Sequence, residues 1–511
     1  MLTDVLLTIH FILLLIISLR VLARHDLTSS ARLAWLVILF LLPYIGVIVY
    51  WLFGEIHLGY KFADKYEQII RDLHNQSPKV LGDKETLNTA VKPEYQAAFA
   101  YSANVTGFQT TVGNSAELMA DATETQARML ADFDAATDHI HVLYYIWLID
   151  GMGIDTAEAL IRAAKRGVTC RAMVDGMGSR KMVGSKIWQD MQDAGVQVSV
   201  ALPIRNMIKV LLFSRIDLRN HRKITVIDGK IGYCGSRNCA DPEFRVKPKY
   251  APWVDIMLRV EGPIVAQNQM LFASDWLMKN PDTSVNSFPY FTESKTAADG
   301  DHNEDKSVVA QVFADGPTQR QGTTPQFLNT LINQTRHTLT ISTPYFVPDY
   351  SLVSTLCATA YRGVKVTMIF PKHNDSLVVA ATSRSYYWEL LEAGVSIYEY
   401  KPGLLHAKTL TVDDEISLIG STNLDLRSFD LNYENNVLIS DKDLTGQIIE
   451  RQQRYLADSE QVRRKDVEEW PLYYKIWNNV VATMGPVLWD FLQNINYKFG
   501  FSNEILSFSA W

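Results

Sequence analysis

A block of nineteen residues occurs twice in this chain, as NHRKITVIDGKIGYCGSRN and as LHAKTLTVDDEISLIGSTN. His221, Lys223, Asp228, Gly235, Ser236 and Asn238 recur as His406, Lys408, Asp413, Gly420, Ser421 and Asn423, each displaced by 185 positions. One HxK arises by chance. Six matched polar or glycine positions in β-rich surroundings do not, and they require two related halves.

Each copy reads as a hairpin. In an extended strand, side chains two apart share a face, so His221 and Lys223 project together, as do His406 and Lys408. Asp228-Gly229 is a type I′ turn signal, with Asp413-Asp414 at the matching place. A two-residue loop sets Ile227 against Lys230, and therefore His221 against Ser236 and His406 against Ser421. Two such faces meeting would place two imidazoles and two ammonium groups around one anion. In-line substitution at a phosphodiester needs that set: one His to attack phosphorus, the other to protonate the leaving alcohol, and Lys, Ser and Asn groups on the non-bridging oxygens. No metal ligand set is required.

The motif aspartates Asp228 and Asp413 stand beside the histidines and lysines as candidate catalytic groups, but a simpler reading exists. Seven residues is an odd spacing, which turns them to the opposite strand face, and their turn position explains them without chemistry. Glu434 in NYENN, with Asp255 in PWVDI as its counterpart, is a better candidate for the carboxylate that orients an imidazole.

The paired HxKx4Dx6GSxN copies resemble the motifs of the phospholipase D superfamily, and the whole chain is similar to the bacterial cardiolipin synthases within it. The resemblance implies an α/β fold of two homologous halves sharing one active site, a phosphohistidine intermediate, no metal and no cofactor. It further implies phosphatidyl transfer between two phosphatidylglycerol molecules, giving cardiolipin and glycerol at the bacterial inner membrane, with His221 as nucleophile by family usage. On that mechanism the two imidazoles must titrate apart. Hydrolysis by water is the nearest alternative, and a non-catalytic anionic-lipid scaffold is an alternative of another class.

A net charge of −7 and a pI near 5.9 argue against a nucleic-acid partner. Cys170, Cys234, Cys239 and Cys357 form no ligand-like cluster. Residues 1–54 carry two apolar runs and read as a transmembrane hairpin, with Pro43 and Gly46 placed to kink the second helix. Arginines in the short loop and lysines after the second run leave the positive-inside count balanced.

Residues 55–113 read as an amphipathic linker, with Tyr66, Ile69, Ile70 and Leu73 on one stripe. Residues 114–293 and 308–465 are the two halves, alternating strand and helix, joined by an acidic connector, 294–307. The first half holds 14 extra residues before its motif. This basic, apolar insert is either a lipid-interface element or an ordinary core extension. The aromatic-rich tail, 466–511, reads as an interfacial or core-packing helix.

Overall fold

The computed structural model describes residues 2–25, 27, 29–54, 60–76, 78–203, 218–288 and 307–483. Residues 204–217, within the ALPIRNMIKVLLFSRIDLRN stretch that holds the insert, most of the acidic connector and the tail beyond 483 therefore lie outside the described residues. Among the described residues two compact units are present, one ending at Ala63 and the other beginning at Asp64.

In the smaller unit, α1 (Leu2–Ala23) is followed by α2 (Ser29–Leu41) and α3 (Pro43–Phe53). The second apolar run is thus two helices rather than one kinked helix. Pro43 has no N–H to donate and starts α3, while Leu42 leaves helical geometry at φ −130°, ψ 65°. Among the described residues no helix is long and apolar enough to cross a membrane. Leu14, Val21, Leu39 and Tyr50 pack inward. Leu15, Ile16, Leu19, Phe40, Ile45 and Ile48 face outward.

The larger unit is built on a duplicated sheet. Its first half contributes β1 (Thr111–Leu118), β2 (His139–Tyr144), β3 (Thr169–Asp175), β4 (Gln197–Ala201), β5 (Arg219–Asn220), β6 (Ile224–Ile227), β7 (Ile231–Gly235), β8 (Trp253–Val254) and β9 (Met257–Glu261). The second contributes β10 (Val308–Asp315), β11 (Thr338–Ser342), β12 (Phe346–Val347), β13 (Lys365–Pro371), β14 (Ser396–Tyr400), β15 (Leu404–Leu405), β16 (Thr409–Val412), β17 (Ile416–Gly420), β18 (Leu424–Asp425), β19 (Asn432–Ser440) and β20 (Ser459–Val462).

The strand order β1-β9-β7-β6-β2-β3-β4 in one half matches β10-β19-β17-β16-β11-β13-β14 in the other. The two half-sheets join edge to edge through the antiparallel pair β1–β10, where Thr111 faces Ala310. Central strands such as β2 and β19 are buried almost throughout, as strands covered on both faces must be. Matching helices begin with matching caps: Asp150 accepts the N–H of Gly153, and Asp349 that of Leu352. The GMG after Asp150 is therefore the first turn of an ordinary capped helix.

The stripe read on 55–113 is the packed face of α4 (Tyr60–Gln76). Tyr66 and Leu73 are buried, and the Tyr66 ring lies 5.8 Å from that of Tyr433. Tyr95 and Phe99 from the same stretch belong to the second half's core.

Candidate active site

The hairpin register differs from the two-residue reading. Ile227 pairs with Ile231 and Val412 with Ile416, leaving three loop residues in each copy. Asp228 and Asp413 adopt φ 52° and 51°, a left-handed conformation that non-glycine residues seldom take. The extra residue slides the ladder by one, so His221 does not face Ser236, nor His406 Ser421.

Each motif leaves its own ladder at the histidine and joins the other half. β5 runs parallel to the start of β19, and β15 parallel to β8. His221 N–H donates to the carbonyl of Tyr433 at 2.9 Å, and His406 N–H to that of Val254 at 2.8 Å. The next residue in each case is the acid. His221 Nδ1 lies 2.9 Å from Glu434 Oε2, and His406 Nδ1 lies 2.5 Å from Asp255 Oδ1. With Nδ1–H donated to a carboxylate, Nε2 of each imidazole carries the lone pair.

The motif serines complete the cross-over. Ser236 Oγ donates to Asp255 at 2.7 Å, and Ser421 Oγ donates to Glu434. Each half's serine thus fixes the acid that holds the other half's histidine. Glu434 also accepts from Ser428 Oγ at 2.9 Å and Asn432 Nδ2 at 3.1 Å. The glycine before each serine permits this approach: a Cβ at Gly235 would strike the Ile256 carbonyl, and one at Gly420 the Asn435 carbonyl.

Lys223 and Lys408 fold back so that each Nζ donates to the carbonyl of its own histidine, at 2.6 and 2.7 Å. The copies then diverge. Lys408 Nζ also lies 2.8 Å from His406 Nε2, while His221 Nε2 has no hydrogen-bond partner among the described residues. Asn238 Oδ1 accepts from the Ile146 N–H at 3.2 Å, and its buried Nδ2 is unpartnered. Asn423 Oδ1 is also buried and unpartnered. Left open in this way, the Asn238 Nδ2 donor suits a ligand's oxygen, and the Asn423 Oδ1 acceptor suits a ligand's donor group.

Burial, together with the nearby ammonium groups, lowers both imidazoles to about 4 against the pull of their carboxylates. Burial acts on both imidazoles in the same direction. Their difference lies in the Lys408 contact. Burial also lowers Lys223 to about 8 and Lys408 well below the usual ammonium range. Burial alone would raise both acids, but the imidazole and ammonium neighbours hold Glu434 and Asp255 below it.

Asp228 and Asp413 sit at the hairpin tips, roughly 20 Å of extended chain from their histidines. Asp228 accepts the N–H groups of Thr137, Asp138 and His139, and Asp413 those of Arg336, His337 and Thr338. Both carboxylates tie the hairpin to the start of the neighbouring strand.

Sequence reasoning passed over Ser428, Asn432 and two aromatic rings. Tyr145 lies edge-on to His221 at 5.0 Å, and Trp253 lies 4.5 Å from His406. Their one sequence signal is nearness to acids already singled out, Trp253 in PWVDI and Asn432 in NYENN. Among the described residues no group of three or more His, Cys, Asp or Glu is gathered as a metal would require.

A duplicated α/β sheet whose two halves exchange carboxylates across paired HxK hairpins defines a phospholipase D-like class of protein. The family model described as cardiolipin synthase, PLD-like domain, matches residues 129–276 and 328–456, and one described as phospholipase D-nuclease N-terminal matches 12–55. The chain belongs to the cardiolipin synthase family of PLD-like proteins. It is 33% identical to cardiolipin synthase A of Serratia proteamaculans over 94% of this chain and 97% of that one. It is 35% identical to cardiolipin synthase A of Edwardsiella ictaluri, over 93% and 95%. Among solved structures, phosphatidylserine synthase of Haemophilus influenzae superposes with a TM-score of 0.55 at 17% identity, covering 78% of this chain and 99% of that one, which is a likeness of fold.

Proposed function

We propose that this chain is a cardiolipin synthase that transfers a phosphatidyl group from one phosphatidylglycerol to another. The observation that carries the reading is the crossed pair of histidine–carboxylate contacts, His221–Glu434 and His406–Asp255, with Lys223 and Lys408 both acting electrostatically on each imidazole. His221 Nε2 attacks phosphorus, forming a P–N bond as the P–O bond to the departing glycerol breaks. Glu434 on Nδ1 stabilises the cationic phosphoimidazole.

The leaving oxygen needs a proton, and Lys408 lies against His406 Nε2 with a proton to share. His406 Nε2 takes that proton and hands it to the leaving oxygen, so loss of the glycerol leaves His406 and Lys408 both neutral. His406 then takes the proton from a second phosphatidylglycerol's hydroxyl as that oxygen attacks phosphorus and returns it to Lys408, and the P–N bond breaks to give cardiolipin and free His221. Lys223 and Asn238 serve the non-bridging oxygens. Asp228 and Asp413 support the hairpins, and Ser236 and Ser421 the acids.

On the same reading residues 1–54 anchor the chain in the bacterial inner membrane. The outward apolar side chains of α1–α3 are the support, because contiguous exposed apolar surface of this kind calls for lipid or protein cover. Residues 114–293 and 308–465 are the two catalytic halves. The test is incubation of purified protein with labelled phosphatidylglycerol, with and without chelator. Cardiolipin and glycerol in both samples support the reading; phosphatidic acid alone overturns it in favour of a hydrolase.

A further inference from the structure

Between the GSRN segment and Asp255 the first half carries a loop, EFRVKPKY, at residues 243–250. Three of its residues are cationic and one is acidic, in a chain whose net charge is −7. The loop is closed at its base, where Trp253 N–H donates to the carbonyl of Pro242 at 2.8 Å. Phe244, held at φ 34°, turns its ring inward onto Trp253 at 3.8 Å, and Trp253 in turn lies 4.5 Å from His406. A left-handed backbone at an aromatic residue is strained, and such strain persists where the surroundings enforce it. Its effect here is to point the ring at the site and the next residues at solvent.

Those next residues are Arg245 and Val246, with Pro248 and Lys249 beyond; all four are exposed, Val246 to 51%. Lys247 faces the other way. Its Nζ lies 2.6 Å from Asp375 of the second half, and Asp375 also accepts from Tyr345 Oη at 2.7 Å. Two residues past Asp375, Leu377 is 56% exposed. A cross-half ion pair therefore pins the loop, with Val246 exposed between Arg245 and Lys249 along the chain.

We propose that loop 243–250 docks the catalytic unit on an anionic bilayer surface, with Arg245 and Lys249 meeting headgroup charge and Val246 entering the interface. This rests on the reading that the substrate is a bilayer lipid. An acidic protein is repelled by an anionic surface except where a local cationic patch meets it, so the patch also sets which side turns to the lipid. The stack Phe244–Trp253–His406 then places the contact beside the leaving-group side of the site.

The test uses the full chain in nanodiscs. All four native cysteines are buried, so Val246→Cys is labelled selectively with an environment-sensitive dye. A blue shift is expected in discs of phosphatidylcholine with phosphatidylserine, and its absence in phosphatidylcholine alone. The shift should vanish at high salt and in the Arg245→Glu/Lys249→Glu background. Removing these cations should lower turnover of phosphatidylglycerol in anionic discs about tenfold or more, while short-chain phosphatidylglycerol in detergent is turned over as before.

An equal shift in neutral discs overturns the proposal, as does one that follows protein concentration, which would mean a second copy. Equal loss on both substrates also overturns it. If neither substrate is turned over by the unaltered protein, the functional reading fails and the dye still decides the docking.

Discussion

Glu434 follows the residue whose carbonyl receives the His221 N–H, and Asp255 stands in the same relation to His406. One backbone bond thus sets the register for the side-chain bond beside it, and the acid is delivered to Nδ1 by strand pairing rather than by a flexible loop. Neither half is complete alone.

Replacing Glu434 by Gln should act through His221. The carboxamide keeps the shape but removes the charge that stabilises the phosphoimidazole, so turnover falls by about 10³ to 10⁴, as for a triad acid. Rapid-quench trapping of phosphohistidine at position 221 checks it, and undiminished trapping would sink the assignment.

His406→Ala should be rescued by a better leaving group. With the p-nitrophenyl ester of phosphatidic acid, departure needs no proton, so phosphohistidine accumulates in this variant but never in His221→Ala. Equal accumulation in the two variants would reverse the roles given to the imidazoles.

Ser421→Ala and Ser236→Ala each remove a hydrogen bond to a buried carboxylate, an interaction of about 1.5–3 kcal/mol. Each should lower turnover roughly ten- to a hundredfold. Ser421→Ala slows formation of the intermediate at His221, whereas Ser236→Ala mainly slows proton transfer at His406. Solvent isotope effects separate the two, and identical effects in both would contradict the crossed arrangement.

Asp228→Ala should leave turnover per folded molecule unchanged while lowering stability by about 1–2 kcal/mol, because three backbone N–H groups at the start of β2 lose their acceptor. Thermal unfolding and active-site titration measure the two effects separately. A large loss of turnover at normal stability would restore a chemical role to this residue.

Stability and activity respond to pH in separate windows. Each imidazole has a folded pKa near 4, below the unfolded value near 6.5, so the unfolded state binds more protons between them. Stability therefore rises with pH through that window and is lost as pH falls from about 6.5 toward 4, by a few kcal/mol in all. The drop in melting temperature from pH 7 to pH 5 should shrink in His221→Gln. Turnover should decline above about 8 as Lys223 loses its proton, and Lys223→Arg should move that limb upward.

Much of this was readable beforehand, and the remainder was hidden for physical reasons. The repeat and the strand–helix order are local patterns, and period and turn chemistry report them directly. Glu434 and Asp255 stood out because each is an acid placed after a GSxN segment. The exchange between halves left no local mark, since β5–β19 and β8–β15 pair residues far apart in sequence. The left-handed pairs Asp228-Gly229 and Asp413-Asp414 form the turn that their residue types signal, and the register shifted because Lys230 and Glu415 add one residue to each loop before the ladder resumes at Ile231 and Ile416. The break between α2 and α3 was half legible: Pro43 marked the place, and its missing N–H turned a bend into a helix start.

The exchange of acids also constrains how such a chain can change over generations. A substitution at 255 is felt at 406, and one at 434 at 221, so the two copies of the motif cannot drift apart as independent duplicates usually do. A single half standing alone would keep its own acid but present it to no imidazole, and would leave its histidine without one.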